Sequence, residues 1–222
     1  MSVTRPTMPP TRPPTRPPTT TRLRRRARAG LGAATLGCLL IGGYGAALAA
    51  SGFRLLPADV AANGFGLALR LHVVTSSVAL LLVPWQLWPA LRRRPRLHRW
   101  LGRGYVLAAV AGGVSGFAAA LFTANGAIAA AGFAVLGVLW TTTTLAAYAA
   151  ARRRDLRTHR RWAVRSFALA FAAVTLRLLI PLAMSMDFTF AATYPLVAWL
   201  CWIPNLALAE WHLRRTARRA SE

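Results

Sequence analysis

The sequence contains no lysine. All of its positive charge is arginine: 28 basic residues face 5 Asp and Glu, for a formal net charge of +23. Alanine is also abundant, so the exclusive use of arginine reads as a compositional bias and not as selection for bidentate phosphate contacts. So few acids nearly exclude paired-carboxylate chemistry. The two cysteines, Cys38 and Cys201, lie in apolar runs with neither metal-ligand spacing nor a disulfide framework. They read as small buried thiols. There is no Gly-rich phosphate loop, no Ser-His-Asp set and no metal-binding motif. No connection is long enough to hold a soluble catalytic domain.

What is present is apolar. In a soluble chain such a positive charge would suggest nucleic acid. Here 55% of residues are hydrophobic and the mean hydropathy is +0.41, which excludes a nucleic-acid partner and points to the lipid bilayer. Residues 1–28 stand apart. TRPPTRPP recurs with a period of four residues, and a Thr/Pro/Arg tail with little to bury is expected to be extended and disordered. Its basic end, RLRRRAR, is placed to attract anionic head groups at the cytoplasmic face.

Six apolar segments follow, at approximately 29–50, 65–90, 101–123, 127–150, 162–184 and 191–211. Each reaches the roughly 20 residues that a helix needs to cross a hydrocarbon core. None alternates with period two, which argues against a β-barrel. The expected fold is therefore all-α: a polytopic six-transmembrane-helix bundle at 29–215, a disordered cytoplasmic tail at 1–28 and a short cytoplasmic tail at 216–222. Small residues, as in AAVAGGVSGFAAA, suit close helix packing. Asn125-Gly126 marks a tight turn joining the third and fourth spans. Pro84, Pro181 and Pro204 are expected to kink helices. Around 46–51, AALAAS resembles a secretory cleavage site, but the apolar run before it is long for a signal peptide and favours an uncleaved first span.

Arginine alternates between the ends of these spans. RRRPRLHRW and RRRDLRTHRRW follow the second and fourth spans, RLRRRAR precedes the first and HLRRTARR follows the sixth. The other connections carry only Arg54, with Asp59 and Asp187. The positive-inside rule places both termini and both arginine-rich connections in the cytoplasm, for a protein of the bacterial inner membrane.

Topology does not explain the histidines. The two arginine-rich connections are partial repeats, each an Arg triplet, a His-Arg pair and a Trp, with Trp85 and Trp140 upstream. They suggest a two-helix unit used twice. His98 and His159 then start parallel helices at matching depth, where they are candidate axial ligands of a b-type haem, with arginines for its propionates. The alternative is interfacial anchoring. His72 lies about seven residues into the second span, roughly 10 Å deep. Arg177 lies at similar depth in the fifth, where a charge must face the bundle or snorkel. Together they are candidates for a polar pocket, for a second haem, a quinone or a small solute. Arg70 is nearer the surface and snorkels easily. A polar layer near the arginine-rich end comprises Gln86, Arg99, Arg103, the run Thr141 to Thr144, Arg165, Asn205 and Glu210. Glu210, the one acid within a span, must find a cation, with Arg103, Arg165 or His98 as candidates. His212 is expected at the interface, and most of the threonines to back-bond to their own helix.

LHVVTSSVALLLVPWQL, HRWLGRGYV, the threonine run before RRRDLRTHRRWAVRSFALAFAAVTLR, and WIPNLALAEW together resemble the predicted membrane protein family called domain of unknown function 2306, over residues 65–212. His72, Gln86, His98, Arg99, Gly102, His159, Arg160, Arg177, Asn205 and Glu210 fall in the order of that family. The resemblance implies a multi-helix bacterial membrane protein and no established activity. Three functions stay open: haem-based electron transfer, transport or sensing of a small solute, and a non-catalytic membrane component or assembly factor.

Overall fold

The computed structural model describes residues 19–54 and 66–219. Of the tail expected to be disordered at 1–28, residues 1–18 lie outside the described part, as do most of the 51–64 connection with Asp59 and the last three residues, while residues 19–28 are helical. Within it there are helices and turns and no strand. Six stretches are long and apolar enough to cross a membrane: Arg28–Ala50, Gly66–Leu87, Pro95–Leu121, Gly126–Arg152, Leu156–Met184 and Phe190–Arg218. The chain divides into two units at Ala34. In the first, the described side chains of Arg25 and Arg28 are exposed on a helix that already starts at Thr19.

We label the helices α1 (Thr19–Ala50), α2 (Gly66–Leu87), α3 (Pro89–Arg92), α4 (Pro95–Leu121), α5 (Gly126–Arg152), α6 (Leu156–Ala170), α7 (Ala172–Met184), α8 (Phe190–Leu200) and α9 (Ile203–Arg218). The fifth span is α6 continued by α7, and the sixth is α8 continued by α9. Chain neighbours pack together: α2 on α4, α4 on α5, α5 on α6, with α8 also on α5. Gly126, at φ +88°, makes the turn into α5, a backbone conformation that L side chains rarely adopt. Small residues then set the helix spacing. A Cβ at Gly137 of α5 would come within 2.8 Å of the Gly113 carbonyl of α4. Large apolar side chains such as Leu67, Leu107 and Val114 point outward, as lipid-facing residues do.

The arginine-rich connections are shorter than the sequence suggests. α4 starts at Pro95, whose fixed φ and missing N–H suit a first helical position. α6 starts after Asp155, whose Oδ1 accepts from the Thr158 N–H at 3.0 Å. The carboxyl of Asp155 is held below its ordinary pKa by that bond. His98 and His159 therefore sit in first turns, not in loops. Their N–H groups donate to the carbonyls of Arg94 and Asp155, four residues back in each case.

This shared register extends through the bundle. His159 Nδ1 donates to the Ala147 carbonyl at 2.9 Å, across 12 residues. Gln86 Nε2 reaches the His98 carbonyl at 3.5 Å, also across 12. Tyr105 Oη and Ser166 Oγ, 61 positions apart, hydrogen-bond to each other at 2.7 Å. The same offset of 61 relates His98 to His159. This common offset is the ground for reading the α2–α4 and α5–α6 hairpins as two copies of one unit.

Candidate functional site

The break in the sixth span has a local cause. Pro204 has no N–H to give to the carbonyl four residues back, and the helix interrupts at Cys201–Trp202. The Cys201 carbonyl is recovered by a side chain. Asn205 Nδ2 donates to it at 2.9 Å and to Thr175 Oγ1 of α7 at 3.0 Å. This amide ties the break in one span to the neighbouring span. Pro84 and Pro181 lie within α2 and α7, which continue through them.

A cavity of about 250 Å³ lies among α2, α4, α5, α7 and α8, in the half of the bundle away from the arginine blocks. His72 and Arg177 both line it, with Ser76, Phe133, Trp140 and Tyr194. Glycines of α4 make room for the imidazole. A Cβ at Gly116 would lie 2.6 Å from His72 Nδ1. The ring is oriented by the Gly112 carbonyl at 2.8 Å from Nδ1, with Ser76 Oγ at 3.3 Å. A carbonyl only accepts, so Nδ1 carries hydrogen, and in the neutral ring Nε2 is a lone-pair acceptor. Arg177 Nη1 donates to the Ala173 carbonyl at 3.2 Å, and its guanidinium lies 5.9 Å from the Tyr44 ring centroid. Among the described residues it has no carboxylate partner, because the ion pair formed there is Arg165 with Glu210.

That pair occupies the arginine-rich half. Arg165 Nε donates to Glu210 Oε1, and Nη2 donates to Oε2 at 3.0 Å. The Trp162 ring lies 4.7 Å from the guanidinium. Of the candidate cations for Glu210, the structure brings Arg165. The expected polar layer is otherwise dispersed. Arg99 and Arg103 are exposed, Arg103 lying over Trp100 at 5.3 Å. Gln86 joins His98, and Asn205 joins Thr175. Thr142, Thr143 and Thr144 bond back to their own helix, while Thr141 Oγ1 is buried without a partner. Arg70 lies over Phe53 at 5.6 Å, and His212 is exposed.

One cluster has no counterpart in the sequence reading. Tyr105, Ser166, Thr144 and Trp140 are buried together, and Trp140 also lines the cavity. Ser166 Oγ is 2.7 Å from both Tyr105 Oη and Thr144 Oγ1, and Trp140 Nε1 donates to Tyr105 Oη at 3.2 Å. Tyr105 and Ser166 look unrelated until they are aligned through the His98/His159 repeat, which was the available signal.

The expected haem between His98 and His159 gains no support from this geometry. Neither histidine lines the cavity, whose lining holds His72 instead. His159 Nδ1 is engaged by a backbone carbonyl, and His98 Nδ1 is buried with no partner. Among the described residues no three His, Cys, Asp or Glu side chains converge as a metal site.

Six apolar helical spans with buried polar side chains between them define a multi-pass α-helical membrane protein. The profile of a predicted membrane protein family, DUF2306, matches residues 69–213. The chain belongs to that family. Comparison with curated proteins and with solved structures gives no match.

Proposed function

We propose that the protein binds a small solute in the cavity around Arg177 and His72, for transport or sensing across a bacterial inner membrane. One observation carries this reading. Arg177 lies within a span, beside a cavity, with no carboxylate partner among the described residues. A cation in such a place is expensive and marks a ligand or ion path more often than a structural tie. The cavity also adjoins the broken fifth and sixth spans, since Ala170, Ala172 and Cys201 line it. Interrupted helices near mid-membrane are the usual walls of transporter sites. In this reading both termini are cytoplasmic, and the arginine blocks at 92–99 and 152–161 rest on anionic lipid head groups.

The test is a thermal-stability screen of the purified protein against a library of small solutes, run beside Gly116→Val. A side chain at that position displaces the His72 ring. A solute that stabilises the native protein and not the variant supports the reading. A library that stabilises neither refutes it.

A second reading keeps His98 and His159 as ligands of a b-type haem, on the strength of their shared register alone. Expression with ample haem supply and an absorption spectrum tests it, and a preparation without a Soret band removes it.

A further inference from the structure

The chemistry of the cavity narrows the ligand class, and this step rests on the proposed reading of the cavity as a ligand site. We propose that it takes a small aromatic monocarboxylate, the carboxylate on Arg177 and the ring beside Phe133 and Trp140.

Charge comes first. A guanidinium has five N–H donors, and the contacts of Arg177 use one of them on the Ala173 carbonyl. The remaining donors form the planar fork that matches a carboxylate bidentately. One cation without an acidic neighbour among the described residues is balanced by one negative charge, which favours a monoanion over a dianion. His72 does not compete, because its Nδ1 hydrogen is committed to Gly112. The imidazole leaves only Nε2 facing elsewhere, and it has no hydrogen-bond partner among the described residues.

Size and shape come next. A cavity of roughly 150 Å³ is enough to hold benzene. This one is about 250 Å³. The difference, on the order of 100 Å³, is about three water volumes, room for a carboxylate and a bridging water. A sugar acid or a polycarboxylate would fill it with polar groups that Leu136, Leu169 and Leu176 cannot satisfy. The Cβ directions of Gly112, Gly113 and Gly116 on α4 are filled by Ser76, Thr141 and His72, so the face open to a ring is the aromatic one that α5 presents with Phe133 and Trp140. A planar ring fits that face better than a branched or flexible chain.

The repeat shows where the site becomes specific. At the offset of 61 that pairs Tyr105 with Ser166, Ser76 corresponds to Gly137 and Gly112 to Ala173. All four are small and line the cavity, which therefore spans the junction of the two copies. At the same offset Gly116 corresponds to Arg177 and His72 to Phe133. The two copies thus supply matching small walls, and the polar side chains enter from one copy each.

The experiment is direct binding of radiolabelled benzoate to the full chain in neutral-lipid nanodiscs. Benzyl alcohol, octanoate and inorganic phosphate are the competitors. The expected result is saturable benzoate binding that octanoate, benzyl alcohol and phosphate displace poorly. Arg177→Gln should weaken it about tenfold or more, the lower end of what a charge-assisted hydrogen bond contributes. Arg70→Gln, at the same end but outside the cavity, should leave it unchanged. The competition arms use the native protein, so they stand even if Arg177→Gln fails to fold. Displacement by benzyl alcohol as effective as by benzoate removes the carboxylate, and displacement by octanoate points to a membrane-derived fatty acid. Phosphate competition reduces the site to a general anion trap. Each of these, or no benzoate binding, overturns the proposal. The cavity reading itself falls only if the solute library described above is also silent.

Discussion

Replacing Glu210 by Gln should destabilise the arginine-rich half of the bundle by an amount the geometry sets. The native carboxylate accepts two hydrogen bonds from the Arg165 guanidinium. Bonds to charged groups are worth about 1.5–3 kcal/mol each when shielded. The two side chains are 17% and 32% exposed, so water and head groups screen part of this. A coupling of about 1–2 kcal/mol is the expected remainder. A glutamine keeps one acceptor oxygen but turns an NH₂ toward the other guanidinium N–H. Glu210→Gln alone should therefore lose most of that coupling. Arg165→Gln should lose more, because it also gives up the stacking on Trp162, worth about 0.5–1 kcal/mol. The assay is unfolding in mixed micelles of the native protein, both single variants and the double variant. A coupling energy below about 0.3 kcal/mol, within the range of independent sites, would refute the argument. Topology should not change, since the arginine blocks stay in place.

Asn205→Leu should cost about 2 kcal/mol, because it frees the Cys201 carbonyl at the Pro204 break and Thr175 together; hydrogen exchange should rise at 201–206 and nowhere in α4. Tyr105→Phe should cost about 1–3 kcal/mol by leaving Trp140 Nε1 buried without an acceptor, and a shift in the indole N–H resonance reports it independently of stability. Asp155 has a folded pKa below its unfolded one. Its capping contribution is therefore present above about pH 4 and is lost as pH falls through the folded value. The stability difference between the native protein and Asp155→Ala should vanish at acid pH, and a difference that persists there would sink the cap.

The spans were legible because twenty apolar residues have few alternatives, and arginine alternation fixed which ends lie together. His72 and Arg177 were legible for the same reason: a polar side chain at depth in lipid must turn inward. Helix starts were less so. An arginine triplet reads as loop, whereas Pro95 and Asp155 are good helix openers and pull the first turns into the connections. The bis-histidine reading rests on register alone. Equal register guarantees equal depth but says nothing of whether space exists between two rings. Tyr105 and Ser166 were missed because neither is unusual in an apolar helix, and their importance is pairwise. The partner of Glu210 was narrowed to three cations by charge alone, and only helix packing could choose Arg165.

The hydrogen bond between Tyr105 and Ser166 has a consequence for assembly. It ties the first hairpin to the second between positions that share one register at the offset of 61. The seam between the two hairpins is then a subunit interface carried within one chain, joined by the exposed turn at Ala124–Gly126. Covalent continuity should be dispensable there. Cutting the gene at that turn and co-expressing the halves should give two polypeptides that find each other in the bilayer and copurify, and a Tyr105→Arg half, with a charge forced into that buried contact, should travel alone.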